Sequence, residues 1–547
     1  MLIKTNTALI KFIVYSAVVN TLIVTPFANK DGMIIPKLMV MFSASMFLLP
    51  FILLNRRQLL TNIFLKITTA ISLVLLIQNI IVMALSSAPL EQQIFGRSGR
   101  GLGFVTTISL ILVFLAVAIF IQIKTMGDIL FGLIISAVIT SIYAIFQSFG
   151  LDILKWETKS NGVFGTLGNP NFQSAFAAMA LMPTLLYFRF KTKKLYIGVL
   201  FLLILSYVIF RTRSIQGILA AVFSSLVVLI IYLWYKNKIL FFILSLISFI
   251  GGFFSVFGML NNGPFSKFLY KTSIESRGDF WRSALATAND NPFFGVGIDS
   301  FGDYFLKYRD SIAAGHTFKE YTDNAHNFFL EQAATGGYPS AVLNFSIVLI
   351  VLFSFVNIVR RSDKFNPTIT ALFAAWVAFQ MVAFISPGNI SNMYWNSIIS
   401  GAMLGVTRIL FTPEYKPKEP PKISTSTWPS ICLSLAGLIF LFPLFNTDRL
   451  QLKGMSASDA NLVMKATTMY PESTVRYSTI GRELFDSGLN QQALEIARSG
   501  VKFNPNSPAM WVLIMVNPSA STDERLTAKN EILKLDPLNL EVRNYTP

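Results

Sequence analysis

The sequence predicts an all-α, polytopic membrane protein of about 12–13 transmembrane helices with a long extracytoplasmic loop and a small C-terminal helical-repeat domain. Of its 547 residues, 53% are hydrophobic and 13% are charged, and the mean hydropathy is +0.57. Soluble globular domains do not have this composition. Apolar runs of about 20 residues recur, and a helix of that length crosses a bilayer. We therefore expect residues 1–446 to form a membrane domain.

Thirteen apolar segments are the predicted spans, with centres near Tyr15, Ser45, Ser72, Leu112, Ala137, Ala180, Ile204, Leu226, Ile247, Ile350, Val377, Gly401 and Leu435. If the N-terminus is cytoplasmic, every second connection is cytoplasmic too; the opposite connections are poorer in Lys, whereas the cytoplasmic ones hold clusters of basic residues. They are Arg56, Arg57, Lys124, Lys191, Lys193, Lys194, Lys236, Lys238, Arg360, Arg361, Lys364, Lys416, Lys418 and Lys422. This pattern predicts that residues 261–337, the long loop, and everything after residue 447 lie outside the cytoplasm.

The charge distribution argues against nucleic-acid binding. The net charge is +17, yet residues 447–547 contain 11 Lys+Arg and 11 Asp+Glu, so the excess lies in the membrane domain. Positive-inside anchoring and the ligands that the outer arginines bind explain this excess, and no basic stripe with stacking aromatics accompanies it. The single cysteine, Cys432, excludes an intrachain disulfide and a cysteine-based metal site.

The C-terminal segment, residues 447–547, has a repeat period. Pro471, Pro505 and Pro537 are spaced by 34 and 32 residues. The small, aromatic and proline positions of one unit are Tyr477, Ile480, Gly481, Leu484, Ala493, Ala497, Gly500 and Pro505. The segment resembles tetratricopeptide repeats, which pair helices in units of about 34 residues. A docking module for a protein partner or substrate and a simple helical cap are equally supported interpretations, and we expect its deletion to leave the basal reaction intact.

Polar motifs gather in three segments on the predicted outer side. The candidate residues are Asn169 and Asn171 in the turn before one span, Arg211 and Arg213 between two spans, and Arg277, Trp281, Arg282, Asn324, His326 and Asn327 in the long loop. Arg, Asn and His clustered against apolar helices indicate a functional site at a membrane face.

Together these motifs resemble the O-antigen ligase/polymerase superfamily of bacterial envelope glycosyltransferases, over roughly residues 60–412. The shared features are the turn at residues 168–171, Arg277-x-x-x-Trp281, Asn291-Pro-x-x-Gly-x-Gly and Ala325-His326-Asn327. The resemblance implies a membrane glycosyltransferase of the GT-C type. Such enzymes move a glycan from a polyprenyl (undecaprenyl) diphosphate to an acceptor hydroxyl at the outer face of the bacterial inner membrane, without a metal ion or another cofactor.

The resemblance also assigns residues. It implies that His326 is the general base and that Arg277 binds the donor diphosphate. The second arginine of the family falls on Arg213 or Arg211, because this chain has Arg-Ser-Ile-Gln-Gly at residues 213–217 where the family usually has Ser-Arg-Gly.

Elementary chemistry fits these roles. Guanidinium forks suit diphosphate oxygens, so Arg211, Arg213, Arg277 and Arg282 are candidate donor ligands; binding of phospholipid is the alternative. An acceptor hydroxyl needs a base, and His326 is the candidate, with a structural role as its alternative. The other histidine, His316, has no such motif around it.

The remaining candidates are possible glycan or acceptor contacts. Asn169 and Asn171 suit hydrogen bonds to sugar or phosphate, or a turn and helix cap before a span. Trp281 suits stacking on a sugar or interfacial anchoring. Asn324 and Asn327 flank His326. Gly295 and Gly297 are expected to permit a tight turn.

Three activities share these motifs: ligase, polymerase and protein O-oligosaccharyltransferase. They differ in their acceptor, which is a lipid, a growing glycan or a protein, and the sequence favours the first two weakly. A lipid-linked glycan transporter or flippase is the alternative of a different class. Transporters carry ionisable residues within their spans, whereas these spans are nearly free of Asp and Glu. The sequence thus favours a transferase.

Overall fold

The computed structural model describes residues 2–154, 156, 162–189, 194–259, 261–269, 272–316, 321–411 and 423–546. Lys191, Lys193, Lys416, Lys418 and Lys422 of the predicted orientation pattern lie outside these residues. Within the described part the protein is all-helical and contains no β-strand, which confirms the predicted fold class.

The helices fall into three groups along the chain. Ten precede the long loop: α1 (Leu2–Leu22), α2 (Ile35–Asn55), α3 (Ile63–Leu85), α4 (Leu90–Phe95), α5 (Phe104–Phe120), α6 (Met126–Ser148), α7 (Pro170–Phe188), α8 (Leu195–Arg211), α9 (Ile215–Lys236) and α10 (Lys238–Met259). The loop and the return to the bundle contain α11 (Ser266–Leu269), α12 (Thr272–Asp290), α13 (Phe301–Tyr308), α14 (Ser311–His316), α15 (Phe328–Arg361), α16 (Pro367–Ala383), α17 (Ile390–Phe411) and α18 (Ile423–Ser456). The C-terminal helices are α19 (Ala460–Thr467), α20 (Thr474–Asp486), α21 (Asn490–Phe503), α22 (Pro508–Val516), α23 (Thr522–Leu535) and α24 (Leu540–Arg543).

Among the described residues, seven helices are long and apolar enough to cross a membrane: Ile35–Leu60, Ile63–Leu85, Ile123–Ser148, Ile215–Lys236, Lys238–Met259, Phe328–Arg361 and Ser426–Ser456. Four shorter apolar helices are Asn6–Leu22, Phe104–Phe120, Leu195–Arg211 and Pro367–Ala383. All thirteen predicted centres lie within helices, with Ala180 and Gly401 in α7 and α17. The chain is therefore a polytopic membrane protein.

The centre of the bundle is α5, whose side chains are buried almost throughout and which packs against α2 and α17. Small residues bring the backbones together: a Cβ on Gly401 would lie 2.4 Å from the carbonyl oxygen of Phe114. The indole of Trp395 in α17 is fully buried and donates to Thr21 Oγ1 at 2.9 Å. Close approach at small residues is how helices pack inside a bilayer.

Helix α15 is broken at Gly337, where φ is +75°. The break frees carbonyl groups of the first segment, and the turn at residues 291–297 satisfies them. Val296 N–H donates to the carbonyl of Ala334 and Gly297 N–H donates to that of Thr335, both at 3.0 Å. Gly295 and Gly297 have positive φ, as the expected tight turn requires.

The long loop has a small hydrophobic core of its own. It folds on a small apolar core formed by Phe280, Ala284, Phe301, Phe305, Ala325 and Ala334. The C-terminal helices dock against it: Arg309, after α13, forms a buried ion pair of 2.9 Å with Asp536. Asn504 Nδ2 also donates to Asp303 Oδ2 at 3.0 Å.

Helix α18 continues past the predicted domain boundary at residue 446, so the membrane domain leads into the tail without a linker.

Candidate active site

A cavity of about 630 Å³ opens at one end of the bundle. Its walls come from the α1–α2, α4–α5, α6–α7 and α16–α17 connections, from residues 323–326 before α15, and from α18 and α20. We call this end the loop face. The alternation predicted from the sequence placed the same connections on one side. The compartment that this face meets stays a prediction.

His326 lies on the wall of this cavity. Its backbone is left-handed, with φ of +48°, and its N–H donates to Asn324 Oδ1 at 2.9 Å. The imidazole stacks on Phe280, with ring centroids 5.4 Å apart. Its Nδ1 atom is buried and has no hydrogen-bond partner among the described residues. A buried, unpartnered ring nitrogen beside a cavity is available to a ligand.

The electrostatic environment keeps this imidazole neutral. Burial, together with the nearby positive charge of Arg277, lowers the pKa of His326 to about 4, although Asp323 acts in the opposite direction. Low dielectric and a neighbouring cation both disfavour the charged form of histidine. At pH 7 the ring therefore has a lone pair that can accept a proton.

The backbone around His326 is fixed from both sides. Asn327 caps α15, accepting from the N–H groups of Phe329 and Leu330 at 3.0 and 3.1 Å. The N–H of Ala325 donates to Glu331 Oε2 at 3.1 Å. These bonds stabilise a left-handed conformation that is uncommon outside glycine. Asn327 therefore acts as a helix cap, and its predicted contact with substrate stays a prediction.

A buried network of ion pairs centred on Arg100, which we call the ionic framework, contacts this turn. Arg100 forms ion pairs with Glu331 at 2.6 Å and Asp299 at 3.2 Å, and it donates to the carbonyl of Asp323 at 2.5 Å. Although burial disfavours its charge, these carboxylates raise the pKa of Arg100 above its ordinary value. Arg100 thus connects the α4–α5 connection to both ends of the His326 turn.

Arg97 continues the framework toward the C-terminal domain. Its guanidinium pairs with Asp303 at 2.7 Å and donates to the hydroxyl of Tyr321 at 2.6 Å. The sequence analysis missed Arg97 and Arg100. The signal for them was present: two arginines in one connection on the predicted outer side, where the positive-inside rule leaves few basic residues.

Arg277 lies on α12, one turn before Trp281. Its Nε donates to the carbonyl of Ile385 at 3.1 Å, and Ser386, the next residue, lines the cavity. Burial lowers the pKa of Arg277. Its charge acts on His326, so the structure brings the two predicted catalytic residues together. Trp281 Nε1 is buried and lacks a hydrogen-bond partner among the described residues.

The other predicted arginines have different surroundings from those of Arg277. Arg282 pairs with Asp310 and Asp279, each at 2.6 Å, and the hydrogen bond with Asp310 is the main cause of its raised pKa. Arg211 is exposed and donates to the carbonyl of Ser148 at 3.1 Å. Arg213 is exposed with φ of +54°. None of the three lines the cavity, and their role in donor binding stays a prediction.

The asparagines at the start of α7 both make local hydrogen bonds and line the cavity. Asn169 Oδ1 accepts from the N–H of Asn171 at 2.8 Å and caps the helix. Asn171 Oδ1 accepts from Ser214 Oγ at 2.8 Å, which joins this turn to the segment that contains Arg213. Both asparagines, and Asn324, line the cavity. They can therefore offer amide groups to a polar ligand.

A second cavity, of about 150 Å³, continues from Arg100 and Gly388 into the bundle. Its lining combines apolar side chains, Leu110, Ile111 and Phe114 among them, with polar ones such as Thr106, Gln380 and Asn396. Within the described residues, no group of three or more His, Cys, Asp or Glu side chains is placed to hold a metal ion.

Fold and site together define a polytopic membrane protein with a cavity at the loop face and a smaller cavity beneath it. Residues 198–345, about a quarter of the chain, match the family model described as O-antigen ligase. The match contains most of α8, all of α9 and α10, the long loop and the first half of α15, and thus His326 and Arg277. It supports a membrane glycan ligase or polymerase in general. No curated protein matches the chain.

Proposed function

We propose that this protein is a membrane glycosyltransferase of the O-antigen ligase/polymerase type. It transfers a glycan from a polyprenyl (undecaprenyl) diphosphate to an acceptor hydroxyl at the outer face of the bacterial inner membrane. The observation that carries the proposal is His326, whose Nδ1 is buried without a hydrogen-bond partner among the described residues beside the main cavity. The nearby charge of Arg277 and the family match over this segment support it.

His326 is the general base of the proposed reaction. The neutral imidazole takes the proton of the acceptor hydroxyl as that oxygen attacks the anomeric carbon of the donor. The bond between this carbon and the diphosphate oxygen breaks, and the electron pair leaves on the diphosphate. The products are a new glycosidic bond, a polyprenyl diphosphate and a protonated imidazole, which releases its proton to water.

Arg277 has a double effect in this scheme. Its guanidinium stabilises the negative charge that grows on the leaving diphosphate. Before the donor binds, the same charge helps to lower the pKa of His326. A bound diphosphate offsets that charge, so donor binding raises the pKa of the base toward the range where proton transfer is efficient.

The smaller cavity beneath Arg100 has apolar side chains on part of its lining, and this part suits a lipid-linked donor. It opens among α5, α15, α16 and α17, next to the wall that holds His326. An isoprenoid chain gains free energy from such a lining, while its diphosphate stays at the polar loop face. The acceptor in this proposal is a lipid or a glycan.

The test uses purified protein in nanodiscs and a defined undecaprenyl-diphosphate oligosaccharide. Single-turnover transfer should fall by about 10³-fold or more in His326→Ala and His326→Gln, with donor affinity nearly unchanged. His316→Ala, at the only other histidine of the chain, is the matched control and should retain full activity. Full single-turnover transfer by His326→Ala would disprove the base assignment.

A further inference from the structure

The C-terminal domain contributes a buried cation to the cavity that His326 lines. Arg476, on α20, is only 6% exposed and belongs to the cavity wall. Its terminal nitrogen donates to the carbonyls of Met469, at 3.0 Å, and Pro471. Its Nε is buried and has no hydrogen-bond partner among the described residues. One donor of this guanidinium therefore lacks the bond that a buried polar group normally makes.

Lys30 offers a second cation from the membrane domain. It lies in the α1–α2 connection and lines the same cavity. Its Nζ is buried and makes no hydrogen bond among the described residues. Its ion-pair contact is with Glu483, at 3.9 Å, whose side chain is 46% exposed. A contact at that distance with an exposed carboxylate compensates little of the charge.

The carboxylates of the cavity already have partners. Asp448 Oδ2 accepts from the N–H of Asp31 at 2.7 Å. Asp31 accepts from the N–H groups of Ile34 and Gly99 at 2.9 and 3.1 Å. Asp323 Oδ1 accepts from the amide of Asn324 at 2.6 Å. The unmet hydrogen-bonding capacity of the charged groups is thus on the cationic side, which favours an anionic ligand.

Local electrostatics agree with this conclusion. Burial lowers the pKa of Arg476 by more than the nearby carboxylate of Asp448 raises it. Burial also raises the pKa of Asp31 and so disfavours its negative charge. A ligand carboxylate or phosphate would supply acceptor oxygens for the Nε of Arg476 and the Nζ of Lys30.

We propose that Arg476 and Lys30 bind an anionic group, a carboxylate or a phosphate, on the acceptor saccharide, and that the C-terminal domain is therefore part of the acceptor site. The acceptor assignment rests on the transfer reaction proposed above: the base must face the acceptor hydroxyl, and His326 lines this cavity whereas Arg277 does not. The anion site itself does not depend on that reaction.

Binding of small probes to the full chain tests the site. The probes are methyl glucuronide for a carboxylate, glucose 1-phosphate for a phosphate and methyl glucoside as the neutral comparison. We expect wild type to bind at least one anionic probe ten or more times more tightly than methyl glucoside. Arg476→Gln and Lys30→Gln should each weaken that binding by about tenfold, the value of one charge-assisted hydrogen bond. Which probe binds identifies the anion.

Arg482→Gln is the matched control, because Arg482 lies on the same helix with its side chain 81% exposed. It should bind the probes like wild type. Lys30→Gln covers the case in which Arg476→Gln alters the fold of α20, which the thermal unfolding midpoint reveals. Equal affinity of wild type for neutral and anionic probes, or unchanged affinity in both Gln variants, would overturn the site. Anion binding that persists while transfer proves independent of His326 would retain the site and remove its assignment to the acceptor.

Discussion

The imidazole of His326 stacks on the ring of Phe280, with the centroids 5.4 Å apart and the planes inclined by 28°. Phe280 belongs to α12, the same helix that carries Arg277. One helix thus supplies both the apolar surface and the positive charge that lower the pKa of His326 to about 4.

The first prediction concerns pH. His326 must be neutral to act as a base, and it is protonated below its pKa. Because that pKa is lowered from 6.5 to about 4, the neutral form extends to lower pH than for an ordinary histidine. We expect kcat/KM to stay nearly constant from pH 7.5 to about 5 and to fall only as pH approaches 4. A fall centred near the ordinary value would contradict the buried, neutral state.

The second prediction concerns Arg277. Arg277→Ala should lower kcat/KM for the donor by about 10²–10³-fold, the usual effect of removing one group that stabilises a leaving charge. Arg277→Lys should recover only part of the loss, because an ammonium lacks the planar fork. The acid limb should also move to higher pH in Arg277→Ala, since a cation that lowers the pKa of His326 is gone.

Arg282→Ala is the comparison for this experiment. Arg282 pairs with Asp279 and Asp310 and should affect donor use much less than Arg277. Equal losses in the two variants, or full activity of Arg277→Lys, would argue against a fork contact between Arg277 and the diphosphate.

The third prediction concerns the ionic framework. Arg100→Met leaves Glu331 and Asp299 without the guanidinium that pairs with both. Removing one partner of buried ions costs about 3–5 kcal/mol, so the thermal unfolding midpoint should fall markedly and the His326 turn should loosen. Arg482→Met, which removes an exposed pair with Asp486, should change the midpoint little. A midpoint in Arg100→Met equal to that of wild type would contradict the role of the framework.

The fourth prediction concerns the C-terminal domain. Arg476 and Thr479 line the cavity, so deletion of residues 457–547 should abolish transfer in protein that is still inserted. This replaces the expectation from sequence that the basal reaction survives.

Asp536→Ala removes the carboxylate that pairs with buried Arg309 and should reduce transfer about tenfold. Asp523→Ala, at an exposed carboxylate of α23, is the control. Full activity of the truncated protein would return the domain to an accessory role.

Periodicity and hydropathy predicted the helices well. Spans are fixed by local composition, since a helix in a bilayer needs only an apolar run of sufficient length. Thus every predicted centre lies within a helix. The tight turn at Gly295 and Gly297 could also be predicted, because a positive φ restricts the residue type locally.

The site was predicted only in part. The motif around His326 and Arg277 identified residues that the structure brings close together. Arg97 and Arg100 act through carboxylates far along the chain, Asp303 and Glu331 among them, and no local pattern encodes such pairings. For the same reason, the role of Arg476 could not be predicted from the sequence. Its place in the cavity depends on how the C-terminal domain docks, which the repeat period does not specify.

The most direct test of the central claim is the profile of polyprenyl-diphosphate-linked and surface glycans in cells that carry His326→Ala, compared with wild type and with His316→Ala. We predict that only His326→Ala loses surface glycan and accumulates glycan on the polyprenyl diphosphate. Long accumulated chains would indicate a ligase and single repeat units a polymerase. Unchanged profiles in a strain without a redundant enzyme, with His326→Ala protein inserted at the wild-type level, would contradict a transferase that uses His326 as its base.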